Sequence, residues 1–196
     1  MSKVEELEFP VKNQRPCYVW ATTLDDHEEI NIKVLETISK ERESNSKGYT
    51  DDININVWQS NWEMENQPGF FEVSESAKQL SVEIAKQHFN FNQFVPQLVD
   101  CWCNVYNNNS GCKVHQHFPA TFSLVYYVKV PENSGRIFFP DLDVQLDPKP
   151  GLLLCFRGDT WHGVEFNKTE KDRIIIGMNV IYKFNENQDN STLDKY

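Results

Sequence analysis

Hydrophobic alternation with a period of two governs the second half of this 196-residue sequence. From about Leu98 onward, short runs rich in valine, isoleucine, tyrosine and phenylalanine are separated by turn signals such as NNNSG, PENSG and DPKPG. Seven or eight short strands at hairpin spacing predict a β-sandwich or jelly roll rather than a doubly wound parallel sheet. The runs are LVDCWCNVY, KVHQHF, TFSLVYYVKV, GRIFF, GLLLCF, HGVEF and RIIIGMNVIYKF.

The first half carries the pattern of amphipathic helices instead. One helix is predicted from Asp25 to Glu43, capped by Thr23 or Asp25, with an apolar stripe on an otherwise charged segment. The stripe consists of Ile30, Val34 and Ile38, with Leu35 beside them. A second helix is expected to be capped by Ser74 or Ser76. Its core-facing residues are Ala77, Leu80 and Ile84. The chain is therefore expected to be mainly β with flanking helices.

Length and the absence of internal repeats favour a single domain, 1–196. We expect 1–95 to be a helical support and possible lid, 96–184 to be the strand-rich core and 185–196 to be a flexible polar tail. The aromatic segment 48–71 is the candidate lid, because it could fold over the opening of a jelly roll.

The acidic net charge of the chain argues against one class of partner, bulk duplex nucleic acid. The chain has 19 basic and 29 acidic residues, so it lacks the excess of lysine and arginine with which proteins bind bulk duplex nucleic acid. No run approaches the roughly 18 apolar residues of a membrane helix, and the segment MSKVEELEFP lacks the apolar run of a signal peptide. Five cysteines, an odd number, favour reduced thiols. We therefore expect a cytoplasmic protein without membrane or bulk nucleic-acid partners, whose oligomeric state the sequence does not predict.

Three of the five histidines fall in the strand-rich half at informative intervals. Residues i and i+2 of a strand point to the same face, so His115 and His117 project side by side as half of a metal site. His162 follows 47 residues after His115, and a jelly roll can bring it across the sheet. Arg173 begins the last strand, 11 residues after His162. Alternation on an exposed strand face would also produce the His-x-His spacing, so the third histidine and the arginine strengthen the metal-site interpretation.

These intervals resemble a known family. The runs VHQHFPATFSLVYYVKVPENSGRIFF, PGLLLCFRGDTWHGVEF and DRIIIGMNVIYKF are similar to the Fe(II)- and 2-oxoglutarate-dependent oxygenases, in particular the small prolyl-hydroxylase-like group, over roughly Leu98 to Phe184. The resemblance implies a double-stranded β-helix, a jelly roll of the cupin-like kind. It also implies that His115 and His162 are iron ligands and that Arg173 pairs with the distal carboxylate of 2-oxoglutarate.

The sequence departs from the family pattern at two positions. His117 occupies the place of the usual carboxylate ligand, so the predicted metal ligands are three neutral imidazoles, His115, His117 and His162. Three imidazoles suit Fe(II) but leave it more positive than two histidines and a carboxylate would. The sequence leaves open whether His117 binds, and without it two histidines and water would hold iron weakly. Ile175 stands where many relatives have serine or threonine, so one hydrogen bond to the cosubstrate is expected to be absent.

The residue types support the cosubstrate independently. A distal carboxylate needs a planar, bidentate partner, which arginine supplies better than lysine, and Arg173 fits that role. Alternation places Ser123 and Tyr127 on one strand face, where they could flank the same carboxylate, whereas Tyr126 is expected to face outward. The predicted cofactor-binding residues are Arg173, Tyr127, Ser123, Asn104 and Asn179, and Tyr106 and Trp161 are further candidates for the pocket wall.

The resemblance thus implies an Fe(II)- and 2-oxoglutarate-dependent dioxygenase that hydroxylates an unidentified small-molecule or peptide substrate with O2, releasing succinate and CO2. One alternative is a three-histidine cupin-like dioxygenase that uses O2 without 2-oxoglutarate, in which Arg173 binds a substrate carboxylate. Another is a non-catalytic jelly-roll module that binds a metal or another ligand. The spacing between His162 and Arg173 favours the first of these functions.

Overall fold

The computed structural model describes residues 5–9, 17–49, 55–89 and 93–185, which form eleven strands and two α-helices. The strands are β1 (Glu5–Phe9), β2 (Cys17–Thr23), β3 (Trp58–Gln59), β4 (Phe94–Tyr106), β5 (Cys112–His115), β6 (Phe122–Lys129), β7 (Ile137–Phe139), β8 (Val144–Leu146), β9 (Leu152–Arg157), β10 (His162–Val164) and β11 (Arg173–Phe184). The helices are α1 (His27–Ser44) and α2 (Phe70–Ile84). A π-helical turn, Ala85–Phe89, continues α2, and a 3-10 turn covers Pro140–Leu142.

The strands form two antiparallel sheets. The large sheet has the order β1-β2-β9-β6-β11-β4-β3, and the small sheet has the order β5-β10-β7-β8. Several paired strands, such as β2 with β9 and β5 with β10, come from distant parts of the chain, as expected of a jelly roll. The predicted architecture, a mainly β double-stranded β-helix with flanking helices, is confirmed.

The first half of the chain is more than a helical support, because β1, β2 and β3 all belong to the large sheet. β2 pairs with β9 from Val19 to Thr23. The adjacent β2 residues Val19 and Trp20 point to opposite faces of the sheet, and both are buried. The strand therefore lacks the alternation of polar and apolar residues by which a strand is recognised in a sequence. The expected boundary near residue 95 therefore does not separate the sheet from its support.

Both helices pack on one face of the large sheet, which we call the helix face. The buried apolar residues of the two helices include Ile30, Val34, Ile38, Val73, Ala77, Leu80 and Ile84. Two details of α1 differ from the prediction. Its N-cap position is Asp26, without a side-chain capping bond, because Thr23 still belongs to β2. Leu35 is 37% exposed, so the buried stripe is narrower than expected.

α2 begins at Phe70, before the predicted caps Ser74 and Ser76, because Gly69 provides its start. The Gly69 φ of 83° lies in the left-handed region, and its backbone N–H donates to the Glu72 carboxylate at 3.0 Å. A Cβ at Gly69 would lie 2.6 Å from the backbone nitrogen of Val34. The close crossing of the two helices therefore requires glycine at this position.

The opposite face of the large sheet, the inner face, looks toward the small sheet. Along β11 the helix face carries Ile174, Ile176, Met178 and Val180, and the inner face carries Arg173, Ile175, Gly177 and Asn179. Tyr126 does face away from the inner face, but it is fully buried beneath α1, where its hydroxyl donates to Asn31 Oδ1 at 2.8 Å. The expectation of an outward-facing Tyr126 did not foresee this burial, because the helix that covers it comes from the other half of the chain.

Two predicted segments lie partly outside the described residues. Of the predicted tail, 185–196, only Asn185 is described, and the candidate lid is described except for 50–54. Ile55 forms a bridge with Cys112, and β3 pairs with β4, so this part of the candidate lid is joined to the sheets. Within the described ranges, no helix has the length and apolar character needed to cross a membrane.

Candidate active site

Three histidine side chains meet between the two sheets. His115 ends β5 and His162 begins β10, and these two residues are register partners in the small sheet. His117 follows two residues after the end of β5. The ring centroid of His115 lies 4.4 Å from that of His162 and 4.9 Å from that of His117. The potential ligand atoms of all three rings lie within 4.8 Å of one another, close enough to converge on one ion.

Backbone carbonyl groups orient two of the rings. His115 Nδ1 lies 2.9 Å from the Lys113 carbonyl oxygen, and His162 Nδ1 lies 3.0 Å from the Thr160 carbonyl oxygen. A carbonyl oxygen only accepts hydrogen bonds, so in each ring Nδ1 carries the proton and donates it. The Nε2 lone pair of both rings is thereby left for a metal, in the arrangement that outer-shell carbonyls commonly impose on ligating histidines.

Burial keeps two of the imidazoles neutral. Desolvation, reinforced by the neighbouring His115, lowers the pKa of His117 to about 4. Desolvation also holds the pKa of His162 well below its usual range, since its ring packs 4.6 Å from the ring of Phe156. Neutral imidazoles are the form that binds metal, so His117 and His162 are ready to act as ligands at neutral pH.

The histidine cluster borders a cavity of about 250 Å³ between the two sheets. The predicted residues that the structure brings to its wall are His115, His117, His162, Arg173, Tyr127, Ser123, Asn104 and Tyr106. Asn179 is not part of that wall, and neither is Trp161, which is 41% exposed. Most of the predicted site residues therefore surround a single space.

Arg173 is a buried cation without an acidic partner among the described residues. It is 1% exposed, and its guanidinium lies 4.3 Å from the Tyr106 ring centroid. Nη1 donates to the Ser134 and Gly135 carbonyls, and Nη2 donates once, to the Glu165 carbonyl at 3.3 Å. Within the described part of the chain, Nε has no hydrogen-bond partner. Nε and the second N–H of Nη2 are thus left to bind a carboxylate through two hydrogen bonds.

Two tyrosines stand beside Arg173 on neighbouring strands. Tyr106 is the register partner of Arg173 on β4, and Tyr127 is the partner of Ile175 on β6. Burial raises the pKa of both phenols, so both stay protonated and can donate a hydrogen bond. A carboxylate bound to Arg173 would therefore lie between a guanidinium and phenolic donors.

Ser123 and Asn179 lie at the other end of the inner face. The Ser123 hydroxyl donates to Asn179 Oδ1 at 2.9 Å, and Asn179 Nδ2 donates to Asp100 Oδ2 at 2.9 Å. Asn179 and Arg173 are six residues apart on one strand, which corresponds to roughly 20 Å, several times the length of a five-carbon diacid. Ser123 and Asn179 therefore do not share a carboxylate with Arg173, although Ser123 lines the same cavity. Alternation identified the correct face of the strands but not the position along them.

Gln59 and Trp62 line the cavity, but the sequence placed them only within the candidate lid and not among the site residues. Gln59 was missed as a site residue because its place depends on the pairing of β3 with β4. Trp62 lines the cavity and contacts Trp102 at a centroid distance of 4.7 Å. Trp58, the other aromatic residue considered for the lid, lies on the helix face instead, where its Nε1 donates to the Asn45 carbonyl.

The residues present fit a divalent metal with a bound keto acid. The histidine cluster offers only neutral nitrogen donors, which suit Fe(II) among other divalent ions. Arg173 keeps an unpartnered buried N–H in the same cavity, as expected of a group whose partner is a bound anion. The site is therefore compatible with both groups that the sequence resemblance implies.

Solved structures share this fold. The chain matches a viral collagen prolyl hydroxylase from Paramecium bursaria Chlorella virus 1, in a 2-oxoglutarate complex, with 19% identity and a TM-score of 0.58 over 82% of this chain and 94% of that one. It matches a Pseudomonas putida prolyl-4-hydroxylase with 15% identity and a TM-score of 0.60, covering 83% of this chain and 91% of that one. A prolyl hydroxylase from Trichoplax adhaerens, in complex with a hypoxia-inducible-factor peptide, also scores 0.60 at 15% identity, covering 82% and 83%.

These likenesses confirm the resemblance inferred from the sequence at the level of the fold. No family model matches the chain, and a search of curated proteins finds no match. The activity must therefore be argued from the site itself.

Proposed function

We propose that this protein is an Fe(II)- and 2-oxoglutarate-dependent dioxygenase that hydroxylates a small-molecule or peptide substrate. The observation that carries the proposal is the meeting, in one cavity, of three imidazole rings and a buried arginine with an unpartnered Nε. The first group is a ligand set for a metal ion, and the second is a receptor for a carboxylate. 2-Oxoglutarate has a metal-chelating keto acid at one end and a carboxylate at the other, so it matches both groups.

The histidines would hold the metal. The carbonyls of Lys113 and Thr160 fix the protons of His115 and His162 on Nδ1, so that both Nε2 lone pairs face the ion. When bound, Fe(II) and 2-oxoglutarate would together supply the oxidising chemistry, in which O2 is consumed and succinate and CO2 are released. The apolar surroundings of the rings, such as Phe156, exclude water from that side of the site.

Arg173 and the tyrosines would orient the cosubstrate. The guanidinium is anchored to the backbone carbonyls of Ser134, Gly135 and Glu165, so it does not need to reorganise when a carboxylate arrives. The Tyr127 phenol would add a hydrogen bond from the neighbouring strand. These contacts would place the keto acid end toward the histidines.

One observation favours a second candidate function. The potential metal ligands that cluster among the described residues are all histidines. Three histidines are the ligand set predicted for a cupin-like dioxygenase that uses O2 without 2-oxoglutarate. In that case Arg173 would bind a carboxylate of the substrate. The two functions differ in whether 2-oxoglutarate chelates the metal.

Anaerobic spectroscopy separates the two candidates. Metal-free protein is reconstituted with Fe(II) and titrated with 2-oxoglutarate, and the visible charge-transfer band of a chelated keto acid is recorded. We expect a saturable band in the native protein. Arg173→Lys, which keeps the charge but loses the planar fork, should need at least about tenfold more 2-oxoglutarate for the same band. Tyr127→Phe, which removes one hydroxyl, serves as a milder variant and should need a few times more.

The other outcomes of this titration are equally informative. Bound iron without a band would contradict the proposal and favour the three-histidine dioxygenase. A protein that binds neither iron nor 2-oxoglutarate would favour a non-catalytic binding module.

The role of His117 has its own test. If His117 is a ligand, His117→Ala should weaken Fe(II) binding, whereas His117→Asp should retain it, since a carboxylate offsets part of the metal charge. Unchanged Fe(II) affinity in His117→Ala would exclude the three-histidine site.

A further inference from the structure

Gln59 occupies the cavity wall without a role in the arrangement described so far. It belongs to the edge strand β3, where it is the register partner of Asn104 on β4. Its side chain is 3% exposed and borders the same cavity as the histidines and Arg173. A buried amide of this kind normally has partners for both its oxygen and its nitrogen.

Only the oxygen of this amide is satisfied. With the Asn104 amide oriented to suit its neighbours, Asn104 Nδ2 donates to Gln59 Oε1 at 3.2 Å, and Asn104 Oδ1 accepts from Trp102 Nε1 at 3.2 Å. Gln59 Nε2 has no hydrogen-bond partner in the described ranges. The contact with Asn104 fixes which end of the amide is the oxygen, so the group left over is a donor and requires an acceptor atom.

The sheet register places this donor between the two halves of the proposed cosubstrate site. On β4, Tyr106 lies opposite Arg173, Asn104 lies opposite Ile175, and Trp102 lies opposite Gly177. The Trp102 ring contacts His117 at 5.8 Å. Gln59, aligned with Asn104, is therefore one step from the level of Arg173 toward the level of the histidines.

We propose that Gln59 binds 2-oxoglutarate, with Nε2 donating a hydrogen bond to a carboxylate oxygen of its keto acid end. The inference rests on the proposed function. A diacid whose distal carboxylate is held by Arg173 passes the level of Gln59 before it reaches the metal, and an acidic acceptor there would satisfy the unpartnered donor. The Asn104–Trp102 contacts act as a brace that holds the amide in this orientation.

A comparison of two keto acids tests the proposal on Fe(II)-loaded protein without O2. 2-Oxoglutarate has both ends, whereas 2-oxobutyrate has the keto acid end and no distal carboxylate. The charge-transfer band is titrated with each compound. Gln59→Met, which keeps the length of the side chain and removes the donor, should weaken both compounds about tenfold. Arg173→Lys should weaken only 2-oxoglutarate, and Gln67→Met, at an exposed glutamine, should change neither.

The thermal stability of the ligand-free protein provides the second readout. Gln59→Met removes the unpartnered donor and also the acceptor of Asn104 Nδ2, which keeps the Cys103 carbonyl at 3.3 Å as its other acceptor. These two changes oppose each other, so the melting temperature of Gln59→Met should stay close to that of the native protein. A lowered melting temperature with unchanged affinity for both keto acids would overturn the proposal and make Gln59 a structural residue. Weakening of 2-oxoglutarate alone would also overturn it, because the donor would then serve the distal carboxylate. If the native protein bound Fe(II) but neither keto acid, the proposed function itself would fail, which is a different result from either of these.

Discussion

The two faces of β4 and β11 are both buried, but they differ in the kind of side chain that they bury. On the helix face, side chains such as Cys103, Ile174 and Ile176 are covered by α1 and α2 and form one apolar cluster. On the inner face, the same two strands carry Arg173 and Asn104, which are equally buried but polar. The helix face stabilises the fold by removing apolar surface from water. The inner face keeps donors whose partners are expected to arrive with a ligand.

This difference indicates which groups of the inner face are available to bind a ligand. Gln59 Nε2 and Arg173 Nε are both buried without a partner in the described part of the chain. Each such donor costs about 1–3 kcal/mol of stability, which is recovered only when an acceptor binds. We therefore expect changes on the inner face to alter binding more than stability, and changes on the helix face to do the reverse.

The largest expected effect follows from removing a metal ligand on the small sheet, across the cavity from the inner face. His162→Ala should lower the affinity for Fe(II) by on the order of 100-fold, because one ligand contributes about 3 kcal/mol to a site of this kind. The melting temperature of the metal-free protein should fall as well, because the buried ring packs against Phe156, so the titration uses protein that is still folded. His88→Ala, at an exposed histidine outside the cavity, is the control for the metal titration. An unchanged affinity in His162→Ala would contradict the assignment of the histidine cluster to metal binding.

Adjacent isoleucines on β11 compare the two faces directly. Ile176→Ala should lower the free energy of unfolding by about 3 kcal/mol, since the side chain is fully buried on the helix face. Ile175→Ala should cost at most about half as much, because Ile175 borders a cavity that already exists. Chemical denaturation of both variants measures the difference. Equal losses would show that the inner face is packed as a core and not as a binding site.

The pH dependence of stability should come from the histidine cluster. Below pH 6.5 an unfolded histidine takes up a proton, whereas burial lowers the pKa of folded His117 to about 4. The unfolded state thus binds more protons, so stability falls as the pH falls from 7 to 5, by about 2 kcal/mol from His117 alone. The measurement is chemical denaturation of the metal-free protein at both pH values. His117→Gln should show a fall smaller by that amount, and an identical fall would contradict the burial of a neutral imidazole.

The smallest expected effect concerns the departure at Ile175. Ile175→Thr introduces a hydroxyl at the level of Tyr127. One added hydrogen bond to the cosubstrate should tighten 2-oxoglutarate binding about threefold. Ile175→Val, which lacks the hydroxyl, is the matched control in the anaerobic titration. Equal affinities in the two variants would place the cosubstrate away from this residue.

Much of the fold could be predicted because its signals are local. The strands after Phe94 alternate, and the apolar stripes of α1 and α2 repeat at helical spacing, so the core side of each element was recognisable. β2 was not, because it is buried on both faces. α2 begins before its predicted caps because Gly69 packs against α1, and this contact leaves no signal in the local sequence pattern.

The residue types of the site could be predicted from the sequence, but their positions along the strands could not. The spacing of His115, His117 and His162 and the position of Arg173 led to one cavity. Ser123 was expected beside the carboxylate that Arg173 binds, but it pairs with Asn179, farther along β11, because alternation identifies a face of a strand and not a position along it. Gln59 was missed because it reaches the site only through the pairing of β3 with β4, strands that lie far apart in the sequence.

An anaerobic crystal structure of the protein with Fe(II) and 2-oxoglutarate would show whether the histidine cluster and Arg173 hold the two groups together. We expect iron, located by its anomalous scattering, about 2.1 Å from one nitrogen each of His115, His117 and His162. We also expect the distal carboxylate on the Nε edge of Arg173. Iron held elsewhere, or a carboxylate that does not contact Arg173, would contradict the proposed function.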